Sequence, residues 1–272
     1  MNTPPILTDR AALAAHRARV TDPSAFFLHQ EAIAEIEDRL SVVNRTFQDV
    51  AIVTGHAEIW REAFPEADII SDTDTLPLKQ GAYDLVIHAM ALHWANDPVG
   101  QIIQCHRALR PDGLFQAVAF GGETLHELRD ALTRAEVETI GGLSPRIAPM
   151  GEVRSMGALL QRAGLALPVA DTLPLKASYK TIWHLMRDLR AMGETNALAA
   201  RHRKPIKRAL FERAAEIYSA DYATEDRIIA TYELVFLSGW APHESQQQPL
   251  RPGSAKLSLA EALAIDDSSV ED

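Results

Sequence analysis

Residues 83–92, Tyr83-Asp84-Leu85-Val86-Ile87-His88-Ala89-Met90-Ala91-Leu92, are apolar almost without alternation. A strand with one wet face alternates, so this run predicts a strand of a parallel sheet covered by helices on both faces. Parallel neighbours cannot be joined by a tight turn and need a crossover of a dozen residues or so. The chain supplies one. Ile102, Ile103 and Leu109 are spaced for a helix over 99–109, Arg110-Pro111-Asp112-Gly113 is a turn signal, and 114–120 reads as a second buried strand. Strand, helix, strand is a βαβ unit, and ligands of such sheets sit beyond the strand C-termini. The polar and aromatic cluster Leu92-His93-Trp94-Ala95-Asn96-Asp97-Pro98 falls at that place.

The same reading extends outward. Residues 9–48 are Arg-rich and helical with few breaks, with Ile33, Ile36 and Leu40 on one stripe. Residues 50–53 form a short buried strand, a helix follows around Glu58 and breaks at Pro65, and Ile69-Ile70 is a brief strand. Beyond the central unit, helices are expected over 123–140 and 151–163, a strand over 165–170, a helical stretch over 179–218 interrupted near Gly193 and Pro205, and a last strand over 227–238.

At 272 residues, one large α/β domain carrying a helical insertion fits better than two equal domains. Lys plus Arg number 27 against 37 Asp plus Glu, a net charge of −10 that argues against nucleic acid as a main partner. No run is apolar enough to span a bilayer, and the N-terminus lacks the apolar core of a secretory signal. Cys105 is the single cysteine, so no internal disulfide forms and a reducing, cytoplasmic location is expected.

Several residues carry candidate chemistry. His88 reads first as a hydrogen-bonded core histidine; for His93 a core role and a reacting role stand side by side. Five positions apart along a strand, the two imidazoles face opposite ways, so no metal site is expected. Glu123, Glu127 and Arg129 open a helix beside the crevice, or complement its dipole. Gly141-Gly142 frees the backbone before Ser144-Pro145-Arg146, and Arg146 offers a planar fork to a carboxylate or phosphate, or lies solvated in a plain loop. Trp240, His243 and Gln246 close the pocket, form a partner surface, or belong to an ordinary loop. Residues 201–208, Arg201-His202-Arg203-Lys204-Pro205-Ile206-Lys207-Arg208, form the dense positive run, suited to acidic lipid, an acidic partner patch or plain solvation.

This succession resembles a class I S-adenosylmethionine-dependent methyltransferase, a Rossmann-like three-layer α/β sandwich. Leu92-His93-Trp94-Ala95-Asn96-Asp97, Gly121-Gly122-Glu123-Thr124-Leu125-His126-Glu127-Leu128-Arg129, Gly141-Gly142-Leu143-Ser144-Pro145-Arg146 and Gly239-Trp240-Ala241-Pro242-His243-Glu244-Ser245-Gln246 resemble, more narrowly, the respiratory complex I assembly factor family of this fold, over about residues 9–265. The resemblance implies a helical segment over 1–48, a methyltransferase-like domain over 49–265 with an insertion at about 176–222, and an acidic tail over 266–272. It also implies S-adenosylmethionine as cofactor and a protein substrate, with a complex I subunit as the candidate; family members are associated with methyl transfer and, in the mitochondrial case, arginine hydroxylation.

By that resemblance Gly55, Asp72, Asp74 and Ala89 are the cofactor-binding candidates, and His93, Glu123 and Arg146 the catalytic ones. Asp72 lies 17 positions after Gly55, which suits an acid on the ribose hydroxyls. It also opens Asp72-Thr73-Asp74-Thr75-Leu76-Pro77, which resembles the later adenine-contacting motif. The second reading is favoured and implies that a strand-helix unit between Gly55 and Ile69 is lost. Thr54 and His56 flank a lone glycine, so their Cβ atoms crowd the place where bare backbone should meet the cofactor. Weak or absent S-adenosylmethionine binding is therefore expected, and a catalytically silent assembly chaperone is the alternative to a side-chain-modifying enzyme.

Overall fold

The computed structural model describes residues 6–20 and 22–247. The expected acidic tail at 266–272 lies outside the described residues. Residues 1–242 form one compact unit and 243–272 another, and the sheet lies wholly in the first.

In chain order the elements are α1 (Arg10–Arg17), α2 (Phe27–Ser41), β1 (Val50–Thr54), α3 (Ala57–Ala63), β2 (Asp68–Ser71), β3 (Tyr83–Ala89), α4 (Pro98–Ala108), β4 (Leu109–Phe120), α5 (His126–Ile140), α6 (Val153–Arg162), β5 (Ala166–Tyr179), α7 (Ile182–Ala191), α8 (Arg208–Tyr222), β6 (Ala223–Thr224) and β7 (Arg227–Trp240). The strands join in the order β2-β1-β3-β4-β7-β5, with β6 paired to β7. The first four are parallel, whereas β7 runs antiparallel to both β4 and β5.

Successive side chains of a strand point to opposite faces, and that alternation builds two cores. Leu85, Ile87 and Ala89 of β3, with Leu114, Val118 and Phe120 of β4, join the core that includes Leu28, Ala32 and Ile36 of α2 and the buried faces of α5, α7 and α8. Val86 of β3, with Phe115, Ala117 and Ala119 of β4, packs with Ile102 and Cys105 of α4 and Met156 and Leu160 of α6. The uninterrupted apolar run is thus two interleaved half-runs, each serving one helical layer. Cys105 is a packing residue at 0% exposure, and burial pushes its thiol well above the usual range.

Three boundaries differ from those expected. The Arg110-Pro111-Asp112-Gly113 turn is drawn into the start of β4, because Leu109 pairs with Tyr83 across a register shift and Asp112 takes a left-handed φ of +62° there. β5 runs past residue 170 to Tyr179, since a dozen of its residues have partners on β7. Pro174 argues against a strand within a sheet, but β5 is the sheet's edge, where a missing N–H is tolerated. The helical stretch after 179 resolves into α7 and α8 with a non-helical segment, 192–207, between them.

Phe115 is fully buried in the core between the sheet, α4 and α6. Phe115→Ala should lower unfolding free energy by about 3–5 kcal/mol in a urea titration.

Candidate functional site

The C-terminal ends of β1 and β3 lie side by side, Thr54 opposite Ala89, with β4 next to β3. α1 docks near them. Asn96 accepts hydrogen bonds from the N–H groups of Leu7 and Thr8 at 3.0 and 2.8 Å, and Asp9 caps α1 through the Ala12 N–H. Asp97 caps α4 through the Gly100 N–H at 2.8 Å, so two polar residues of the 92–97 motif build scaffold.

Arg17, the last residue of α1, reaches the mouth of the crevice. Its Nη1 donates to both Asp72 oxygens, at 2.9 and 2.8 Å, and the pair is buried, with side chains 9% and 8% exposed. Arg10 joins from the same helix, pairing with the Asp72 carboxylate at 3.4 Å and donating to its carbonyl. The guanidinium lies so close over Gly55 that a Cβ there would run into it. A residual cleft of about 290 Å³ beside Gly55 is lined by Arg17, Phe26, His56 and Glu58 among others, while Asp72 faces the arginines.

The position of Asp72 merges the two alternatives left by the sequence. Among the described residues one strand, β2, stands between Gly55 and Tyr83, and it pairs directly with β1. Asp72 therefore ends the strand next to β1, where the ribose-type acid belongs, although its neighbours spell the other motif. Asp74 is exposed, and its carbonyl accepts from Gln104. Ala89 is fully buried at the end of β3, and Met90 after it takes a left-handed φ of +50°.

The side chain of His93 is buried, at 1% exposure, and its ring connects β4 to the segment after α7. The Phe120 N–H points at Nδ1 at 3.4 Å, which leaves Nε2 to donate to Glu194 Oε2 at 3.4 Å. Trp94 Nε1 donates to the same oxygen at 2.8 Å. Glu194 Oε1 has no hydrogen-bond partner, nor do Nε and Nη2 of Arg17 or Nε2 of His56. Burial alone would raise the Glu194 carboxyl, but the His93 hydrogen bond and the Arg17 guanidinium hold it down to about 2. Gly193, at φ +78°, ends α7, and the Glu194 N–H closes back onto the Leu189 carbonyl at 2.8 Å. A Cβ at Gly193 would press on Arg17 Cγ at 3.2 Å.

Glu194 and Arg17 are the two site residues that sequence reasoning missed. Each left a signal. A carboxylate just past a helix C-terminus opposes the helix dipole, and Arg17 lies in the Arg-rich segment already noted.

A cavity of about 350 Å³ opens next to His93, its walls including Trp94, Phe120, Leu125, Met150, Glu194 and Tyr232. Arg146 lies on its edge, but its fork is taken by Glu136, with Nη2 at 2.6 Å and Nε at 3.1 Å. Glu136 also accepts from the Ser144 N–H and hydroxyl, so this carboxylate organises the 141–146 loop. Glu123 is elsewhere: its side chain is 72% exposed and it lines a separate cleft with His126 and Tyr222. The structure thus brings Arg146 to the edge of this cavity, leaves Glu123 outside, and sets His93 behind the cavity wall, bonded to Phe120 and Glu194 that line it. Trp240 pairs with Leu114, at the opposite end of β4 from Phe120, which takes it away from this pocket.

Other buried histidines serve structure. His88 binds Gln101 at 2.7 Å, and Trp60 Nε1 donates to His29 Nδ1 at 3.0 Å. In the basic run, Arg201 and Arg203 pair with Asp9 and Arg208 with Glu212.

Residues 39–117 match the Methyltransferase domain family. The human arginine-hydroxylase NDUFAF5, mitochondrial, is 35% identical over 278 residues, covering 92% of this chain and 80% of that protein. A malonyl-[acyl-carrier protein] O-methyltransferase of Laribacter hongkongensis is 34% identical, covering 68% of this chain and 60% of that protein. The solved YcgJ protein of Bacillus subtilis superposes with a TM-score of 0.48 at 12% identity, over 79% of this chain and 99% of that one. By the methyltransferase-domain match over the parallel β2-β1-β3-β4 part of the sheet, the fold is methyltransferase-like. Within it, the chain belongs to the arginine-hydroxylase NDUFAF5 family.

Two measurements test the site's electrostatics. Burial depresses His29 to about 3 and His56 and His88 to about 4, from 6.5. Between those values and 6.5 the unfolded chain binds protons that the folded one refuses. Stability should therefore fall as pH drops from 7 to 5, by up to about 1.4 kcal/mol per pH unit for each histidine, and His88→Asn should flatten the slope by one such share. Asp72→Ala leaves Arg17 buried without its partner and should cost about 3–5 kcal/mol in a urea titration at pH 7.

Proposed function

We propose that this protein modifies a protein side chain, an arginine, during assembly of respiratory complex I, and that the cavity beside His93 receives that side chain. The observation that carries the reading is this cavity, walled by aromatic residues over the strand C-termini, in a chain of the NDUFAF5 family. His93, held between the Phe120 N–H and Glu194 behind the cavity wall, is the candidate group acting through those two residues, and Arg146 shapes the cavity edge through Glu136. Glu123, exposed in another cleft, drops out of the catalytic set in this reading.

S-adenosylmethionine does not fit the described residues in the usual pose. Arg17 covers Gly55 and, with Arg10, occupies the carboxylate that would take the ribose, so no step is assigned to that cofactor. The same plug favours a second reading, a silent chaperone that grips a subunit through the methyltransferase fold. In this reading the protein works in the cytoplasm, as its single cysteine suggests, whereas the human relative is mitochondrial by name. Contact of Lys204 and Lys207 with an acidic surface is likewise a proposal.

Titrating the purified protein with S-adenosylmethionine and S-adenosylhomocysteine should give no single-site micromolar binding. Arg17→Ala should bind either more tightly than wild type. Co-expression with complex I subunits followed by peptide mass spectrometry should reveal an arginine that gains one oxygen or one methyl group; an unmodified subunit held in a stable complex would favour the chaperone.

A further inference from the structure

The cavity has in its wall a buried charged group whose bonding is incomplete. Glu194 is buried, with its side chain 7% exposed, and while Oε2 is held by Trp94 and His93, Oε1 has no partner. A buried carboxylate oxygen left unbonded is costly and asks for a donor. Around it stand the rings of Trp94, Phe120 and Tyr232 and the apolar side chains of Leu125 and Met150. Such walls suit the apolar stem and flat cationic head of one kind of side chain.

We infer that Glu194 is the guanidinium-receiving residue of this cavity, with an N–H of the incoming arginine on Oε1 and the planar head against the aromatic wall. The inference rests on the reading of the cavity as an acceptor site and adds the residue that selects the acceptor. A guanidinium is planar and weakly hydrated, so it stacks on aromatic faces better than an ammonium does. A neutral urea group of the same shape would bring an N–H to Oε1 but no positive charge.

The arginines at the edge do not prevent entry. Arg146 is neutralised by Glu136 at 2.6 Å and Arg201 by Asp9 at 2.9 Å, while Arg190, the third arginine of the lining, is exposed, so water screens its charge. Arg17 contributes charge near Glu194, but its Nη1 is committed to Asp72 and it makes no hydrogen bond to Oε1. Glu194 is a positioning residue in this account: it orients the side chain and carries no step of the reaction.

The test uses the full chain and three acetylated, amidated short peptides that differ at one position, holding arginine, citrulline or lysine. Isothermal titration should show the arginine peptide binding about tenfold or more tightly than the citrulline peptide, the share of one charge-assisted hydrogen bond. The lysine peptide should fall between them. Glu194→Gln keeps an oxygen for Trp94 Nε1 and should bring the arginine-to-citrulline ratio close to one, whereas Glu194→Asp should retain part of it; thermal melts verify folding of both. Equal affinity for arginine and citrulline in the wild type, absence of binding by either, or a ratio that survives Glu194→Gln overturns the assignment. Arginine-selective, Glu194-dependent binding without any mass gain on a subunit would sink the modifying function and leave Glu194 standing. Modification that continues with unchanged KM in Glu194→Gln would do the reverse.

Discussion

Asp72 and Arg17 are two opposite charges taken out of water, and such a pair persists only where geometry and further hydrogen bonds repay the desolvation of both. Both conditions are met: Nη1 reaches both carboxylate oxygens, and Arg10 adds a second cation from the same helix. The pair fastens α1 to the end of β2. Around that fastening, Leu7 and Thr8 hang from Asn96, and Asp9 binds the Ala197 carbonyl through its N–H and Arg201 through its side chain. The N-terminal helix, the 92–97 motif and the segment after α7 therefore hold one another in place.

The motifs that carry the family resemblance turn out to be largely structural. Asn96 and Asp97 tie and cap, Glu136 folds the 141–146 loop around Ser144 and Arg146, and Glu127 accepts from the Thr231 N–H and hydroxyl to tie α5 to β7. Polar residues beyond strand ends invite a catalytic reading because ligands bind there. The same places also carry turns with backbone groups that need partners, and a buried carboxylate can satisfy several at once.

The central βαβ unit was legible because continuous apolar runs and turn residues act locally. Its two-sided burial could be read from the lack of alternation in β3, and Leu85 and Val86 do serve opposite layers. The length of β5 was not legible, because Pro174 speaks against a strand unless its edge position is already known. Glu194 and Arg17 were hidden for a related reason. Their significance comes from neighbours a hundred positions or more away for Glu194 and more than fifty for Arg17, and nothing in local spacing records such partners. Asp72 was visible as an acid of interest, yet the sequence could not say that arginines had already claimed it.

Glu194 lines the cavity beside His93 while lying within the field of Arg17, the residue that covers Gly55 in the crevice. A charge shared in this way links occupancy of the two compartments thermodynamically. Whatever changes the charge balance in one alters affinity in the other by the same factor in both directions, without any movement of the backbone.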